Sequence, residues 1–269
     1  KVELLEAKHT GQKVKNVFLK IVLNSPTGKM QQEVSWMYDP FNVFKIRING
    51  QLILLLLVDR LLELGCEIIQ CNTDGVVYRA KKGLKQAISD AIKEVEALTR
   101  LEFESDEYEA FYQYAINDYF GVLKGGEIEE KGMFITKNKL GKGLASVVIP
   151  KAVINYFTKH QSVEEFIKSD GDIRDFLMSQ QVDKKFEVWH GENRVQRINR
   201  FFASTNGEYL FKKDNEKEQN MLTKSGVTIL NTLYDTTVEG KHINYRYYIS
   251  EAKKIIADFT EQQLELFSI

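Results

Sequence analysis

Two short segments place side chains capable of chemistry at useful spacings. In Asn72-Thr73-Asp74-Gly75 a carboxamide and a carboxylate stand two residues apart, between Cys66-Glu67-Ile68-Ile69-Gln70-Cys71 and Val76-Val77-Tyr78-Arg79. Both flanks are rich in β-forming residues, so the pattern predicts a β-hairpin with an Asp-Gly turn at its tip. A carboxylate held there is a hard oxygen ligand of the kind magnesium prefers. Upstream, Lys20 and Asn24 are four residues apart in a stretch of helical periodicity, which puts them on one face, one turn apart. A lysine so placed can hold a phosphate group as a mobile point charge. Taken singly, the first segment is a plain hairpin turn and the second a surface lysine near a helix end.

The surrounding elements must position these groups. Residues 1–24 read as helical, with Val14, Val17, Phe18, Ile21 and Val22 on one side, and Asn24, Ser25, Pro26 and Gly28 are expected to end the helix. Ile46 to Leu64 reads as a mostly buried helix closed by Gly65 and lying under a sheet. Leu84, Ile88, Ala91, Ile92, Val95 and Leu98 mark an amphipathic helix after the hairpin. From Leu101 to Phe134 strand-like runs recur, with Gly125-Gly126 as a turn between Phe120-Gly121-Val122-Leu123 and Glu127-Ile128-Glu129. Beyond Gly141-Lys142-Gly143 the texture changes to shorter helical patterns at Lys151 to His160, Val163 to Lys168 and Ile173 to Met178. A mixed basic region and a last helix from Glu251 to Phe259 come after them. The expected class is α+β: an antiparallel sheet with helices on one face, then a mainly helical, mixed region. The expected divisions are 1–30, 31–136 and 137–269.

Composition narrows the classes. With 269 residues and 43% hydrophobic content the chain can bury a substantial core. The longest apolar run, Leu52 to Val58, falls far short of the roughly 20 residues that a spanning helix requires, so no membrane partner is expected. No export leader is legible after Lys1, and the expected location is cytoplasmic, in a bacterial or phage-infected cell. Cys66 and Cys71 would point to opposite faces of a strand, which argues against a disulfide. The four histidines, His9, His160, His190 and His242, are scattered, with no zinc-ligand spacing. The net charge of −1 excludes nothing, because nucleic-acid attraction depends on where charges lie. Lys131, Lys137, Lys139, Lys142, Lys151 and Lys159 occur without an intervening acid, whereas Glu102 to Glu109 is strongly acidic.

The order of the segments carries a resemblance. Lys20-Ile21-Val22-Leu23-Asn24-Ser25-Pro26-Thr27-Gly28 resembles motif B of family B DNA polymerases, Lys-x-x-x-Asn-Ser-x-Tyr-Gly, and Asn72-Thr73-Asp74-Gly75 resembles their motif C, Asp-Thr-Asp-Ser. Asn117-Asp118-Tyr119 resembles the Lys-x-Tyr segment that tracks the primer-template minor groove, and Lys131-Gly132 the Lys-Gly at the border of palm and thumb. Ile149 to Ile154 and the Phe201 to Lys213 region look like thumb segments of phage-like members. The resemblance implies a fragment of a DNA-directed DNA polymerase running from motif B through the palm to the thumb. It implies primer-template DNA and dNTPs as partners and two Mg2+ or Mn2+ ions in the intact parent. Lys20, with Asn24, Thr27 and Gly28, would hold the nucleotide. Asp74 would be the direct metal ligand and Asn72 a weak one. Tyr119, Lys131, Gly132, Lys137, Lys139 and Lys142 would meet DNA. At the end of the chain, Gln263-Leu264-Glu265-Leu266-Phe267 resembles the peptide that docks bacterial polymerases on a sliding clamp. Gln263, Leu264, Leu266 and Phe267 would then be anchors on an extended tail.

The departures are as informative. Thr27 replaces the motif B tyrosine, Asn72 the first motif C aspartate, Gly75 its serine, and Asn117 the lysine of Lys-x-Tyr. Asn72 offers a neutral oxygen and no charge, so any metal site is weaker than the family's. Motif A, which supplies the other catalytic carboxylate, is absent, and the isolated chain is expected to be inactive. Two further readings stay open: a non-catalytic DNA-binding descendant, and an unrelated α+β domain in which Lys20, Asn24 and Asp74 do not meet.

Overall fold

The computed structural model describes the chain except residues 1, 2, 4, 5, 8, 9, 74, 138–144, 215, 216, 223, 233–235, 268 and 269; of residues 260–267 it describes the backbone alone. The class is α+β, as expected, and the chain divides into two compact units, Lys1–Ser105 and Asp106–Ile269.

In the first unit, helix α1 spans Lys13–Met30 and does not stop at Asn24. Pro26 lies inside it, where the missing N–H removes one backbone bond, and the Ser25 hydroxyl donates to the Ile21 carbonyl at 2.6 Å in the same turn. The apolar residues that share one side of it face outward: Val14, Phe18 and Ile21 are all more than half exposed. The half-buried positions are Asn16, Leu19, Pro26, Thr27 and Met30, which recur at helical spacing on the other side. Helix α2, Pro40–Glu63, starts earlier than expected because Pro40 sits at its first turn. Asp39 caps it by accepting from the Asn42 N–H at 3.0 Å. Its end is the expected one: Gly65 comes next, and the Cys66 N–H closes on the Leu61 carbonyl at 3.0 Å.

Helix α2 is not mostly buried. Only Val43, Leu54, Leu57 and Leu61 are, while Phe41, Phe44, Leu52 and Leu55 are exposed. By length and composition alone this 24-residue helix is apolar enough to cross a membrane, with a best window averaging 1.5 in mean hydropathy. The run Leu52 to Val58, on which the expectation of no spanning helix rests, is only part of this helix. Strands β1 (Glu67–Cys71) and β2 (Val76–Arg79) form the predicted antiparallel hairpin, succeeded by helix α3, Lys85–Thr99. Leu57 and Leu61 of α2 and Ile88 and Val95 of α3 close a small core with Cys66, against which Ile68, Val76 and Tyr78 of the hairpin pack. Cys66 is buried, Cys71 exposed and both are free thiols.

The second unit begins with an antiparallel meander, β3 (Tyr108–Ala115), β4 (Asp118–Leu123) and β5 (Ile128–Lys131), with the Gly125-Gly126 turn where the sequence placed it. Helices α4 (Val148–Lys159), α5 (Val163–Ser169) and α6 (Ile173–Phe176) come next. The region after residue 137 is less helical than expected. Strands β6 (Met178–Gln181), β7 (Glu187–His190), β8 (Asn193–Val195), β9 (Ile198–Ser204), β10 (Leu210–Lys213), β11 (Glu218–Asn220) and β12 (Gly226–Ile229) build two more antiparallel sheets, ordered β11-β10-β7-β8 and β12-β9-β6. Where β10 and β12 approach, two glycines lie back to back: a Cβ on Gly207 would sit 2.2 Å from the Val227 carbonyl oxygen, and one on Gly226 2.0 Å from that of Gly207.

Helix α7, Tyr245–Phe267, is longer than the expected Glu251 to Phe259. The clamp-like segment therefore continues this helix in its backbone and is not an extended tail, and the side chains of Gln263, Leu264, Leu266 and Phe267 lie outside the described residues. One core joins Phe120 and Phe134 to Val148 and Val153 of α4, Ile167 of α5, Phe176 of α6, and Tyr248 and Phe259 of α7. The expected boundary near residue 137 falls inside this unit. Aromatic packing of Phe120 on Phe134 at 5.1 Å, and of Phe134 on Phe259 at 5.9 Å, ties the meander to α7.

Candidate functional site

The hairpin pairs Glu67 with Arg79, Ile68 with Tyr78, Gln70 with Val77 and Cys71 with Val76, and a bulge lies between Ile68 and Gln70. At the tip the Asn72 N–H donates to the Gly75 carbonyl at 3.0 Å, which closes a four-residue connection. Asp74 lies outside the described residues, so its distance to Lys20 and Asn24 is not part of this structure. Among the described residues no three His, Cys, Asp or Glu side chains come together in a way that could hold a metal. With a neutral amide at Asn72, the donor set present does not by itself fit a two-magnesium centre, and no catalytic step is derived through one.

On α1 the helical spacing does what the sequence implied. Lys20 and Asn24 line one shallow, open groove with Val17, Ile21 and Ser25, and both polar side chains are exposed. Thr27 and Gly28 are not in that lining. Thr27 is half-buried, and Gly28 has open space where a Cβ would stand, so local crowding places no demand for glycine there. A cation and a carboxamide exposed one helical turn apart are groups of the kind that contact an anion.

The second unit brings three other predicted residues together. Tyr119 of β4 pairs directly with Lys131 of β5, and Gly132 comes next at φ +61°. A Cβ on Gly132 would meet the Asn117 carbonyl oxygen and the Asp118 Oδ1, both at 2.1 Å, so only glycine fits. Two segments read separately from the sequence, Asn117-Asp118-Tyr119 and Lys131-Gly132, thus meet at one end of the meander, on the central strand β4 and the edge strand β5. Lys131 and Lys137 are exposed; Lys139 and Lys142 lie outside the described residues.

Tyr119 itself is 8% exposed, its ring tilted against Phe111 at 5.0 Å. It supports the face beside Lys131 and does not project from it. Tyr108, on the same face, donates its hydroxyl to Glu129, and burial, with that carboxylate second, pushes its phenol well above the usual range.

A family B DNA polymerase has a similar structure. It comes from the hyperthermophilic archaeon Pyrobaculum calidifontis, with a TM-score of 0.48 and 16% identity over 91% of this chain and 33% of that one. This chain thus spans about a third of that polymerase's length. No protein-family model matches the chain, and no curated protein does.

The sequence reading missed the acceptors that hold the Gly132 segment. Asp118 Oδ1 accepts from the Met133 N–H at 2.7 Å, and Glu130 accepts from the Thr136 N–H at 2.8 Å. The available signal was an acidic residue directly before Tyr119 and another directly before Lys131.

Proposed function

We propose that the chain is part of a DNA-directed DNA polymerase: α1 contributes to the pocket for an incoming nucleoside triphosphate, the β1–β2 hairpin carries one metal-binding carboxylate, and the meander edge holds primer-template DNA. The observation that carries the reading is the meeting of Asn117-Asp118-Tyr119 with Lys131-Gly132. Two landmarks expected in a fixed order along the chain lie side by side around a position that only glycine can fill. In this reading Lys20 neutralises the triphosphate, Asn24 adds a polar contact, and Lys131 and Lys137 neutralise DNA phosphates without reading sequence. Asp74 would be one ligand of the Mg2+ or Mn2+ pair in the intact parent, and the remaining carboxylates would come from outside this chain.

The test is fluorescence anisotropy with a labelled primer-template duplex at a series of salt concentrations. Binding should be insensitive to sequence and weaken steeply with salt, and replacing Lys131, Lys137, Lys139 and Lys142 together by Ala should flatten the slope of log affinity against log salt. Absence of binding at low salt would sink the reading. The isolated chain should also fail to extend the primer with magnesium or manganese; incorporation abolished by Asp74→Ala would show that the metal site is complete after all.

A second reading, a DNA-binding descendant without catalysis, is favoured by one observation, the neutral Asn72 at the hairpin tip. It predicts the same duplex binding but no effect of Lys20→Ala on nucleotide affinity.

A further inference from the structure

Lys131 stands at the end of β5, where the chain leaves the sheet and turns. Strand pairing with Tyr119 fixes its backbone on one side only. On the other side the chain passes into a short turn, Gly132–Phe134, whose first residue sits at φ +61° against the Asn117 carbonyl. The side chain of Asp118 reaches across this gap. Its Oδ1 lies where a Cβ of residue 132 would be and accepts the Met133 N–H at 2.7 Å. The Ile135 N–H then closes on the Gly132 carbonyl at 3.3 Å.

We infer that Asp118 is a positioning residue for DNA binding: its carboxylate latches the turn after Gly132 and so holds Lys131 in the register at which its ammonium meets a DNA phosphate. This rests on the reading above that the meander edge meets DNA. An acid beside a DNA-binding lysine is otherwise a liability, since a carboxylate near a phosphate repels it. Its use is the hydrogen bond. A free turn would let the lysine sample many positions, and the entropy of ordering it would be lost on binding.

The charge and the latch can be separated. Asp118→Ala and Asp118→Asn remove the same negative charge, but Asn keeps an Oδ1 that can accept from Met133. Duplex affinity and its salt slope are measured for both variants, for Lys131→Ala and for Asp118→Ala combined with Lys131→Ala, with circular dichroism to establish that each is folded. Asp118→Ala should bind several-fold more weakly and lose about one unit of slope, equivalent to one phosphate contact. Asp118→Asn should bind as the parent does or slightly better. Asp118→Ala should have no further effect once Lys131 is Ala, because the two act as one unit.

Equal binding by the Ala and Asn variants, or full additivity with Lys131→Ala, overturns the latch while leaving the DNA reading intact. Unchanged binding by Lys131→Ala overturns the latch as well, whereas absence of duplex binding by the parent chain at low salt overturns the DNA reading itself. Should Asp118→Ala not fold, Asp118→Glu serves: it keeps charge and acceptor but is one methylene too long to reach the same point, and it should bind as weakly as expected for Ala. Binding at the parent level by Asp118→Glu overturns the proposal.

Discussion

The Lys1–Ser105 unit and the Asp106–Ile269 unit place their apolar side chains in opposite ways. In the second, phenylalanines and tyrosines from the meander and from α4, α6 and α7 interlock in one core, and Phe120, Phe134, Phe176 and Tyr248 are fully buried. In the first, the core is a small cluster around Leu61 and Val95, while Val14, Phe18, Val34, Trp36, Phe41 and Phe44 lie open. Trp36 is 94% exposed. Isolated exposed apolar residues are ordinary, but here they run along α1, the connection after it and the start of α2. The second unit therefore has the packing of a self-sufficient domain, whereas the first has helices whose apolar faces the described residues leave open.

This contrast can be broken first by core truncation. Phe120→Ala should cost about 3–5 kcal/mol of stability in denaturant melts, the range for a large aromatic removed from a close-packed core. Phe18→Ser on α1 should stay within about 0.5 kcal/mol, as exposed substitutions do. A large loss at Phe18 would mean that the outward stripe of α1 is covered in solution.

A smaller effect is expected from Tyr248. Its buried hydroxyl accepts from the Ala203 N–H at 2.8 Å and donates to the Phe176 carbonyl at 2.9 Å, and burial pushes its phenol well above the usual range. Tyr248→Phe keeps the ring and orphans both partners, so a loss of about 1–3 kcal/mol is expected in the same melts. A neutral outcome would show that water reaches the site.

Smaller again is a pH dependence confined to the second unit. Burial, with the neighbouring Asp175 adding to it, raises Asp170 to about 6, above the unfolded value of about 4 for an aspartate. The folded state therefore holds this proton more tightly than the unfolded one. Asp170 contributes its full share of stability below about pH 4, and that share is lost as pH rises from about 4 to about 6. Asp170→Asn should remove this part of the pH dependence in melts across that window. An unchanged profile would place the titration elsewhere.

The smallest effect on stability should come from Lys20→Ala and Asn24→Ala, which touch only an open groove. Melts should not move, while affinity for a nucleoside triphosphate, measured by calorimetry, should fall for both. No change in affinity would remove α1 from the nucleotide pocket.

Legibility in the sequence tracks the strength of local signals. The β1–β2 hairpin, the core positions Ile88 and Val95 of α3 and the Gly125-Gly126 turn were legible because alternation, helical period and turn residues agree there. Strands β8 and β11 were not, since Asn193-Arg194-Val195 and Glu218-Gln219-Asn220 are three-residue elements whose pairing partners, not their composition, make them strands. The spacing along α1 shows which residues share a side but not which side packs, and packing chose the less apolar one. Of the candidate site, Lys20 with Asn24 came from helical spacing, while Tyr119 and Lys131, which only the strand pairing joins, came as separate segments from the resemblance. Asp118 did not, because its role is a single hydrogen bond across a turn that only coordinates reveal.

The glycine pair at 207 and 226 bears on how such a chain can drift in sequence. Thr27 and Asn72 depart from the pattern they resemble, and each substitution can accumulate one at a time because the space around an exposed or half-buried side chain forgives it. Gly207 and Gly226 leave no such room: a Cβ on Gly207 would collide with the Val227 backbone and one on Gly226 with the Gly207 carbonyl, so either replacement would force the backbone to shift. The backbone crossing at this corner therefore constrains the sequence independently of any chemistry the chain carries.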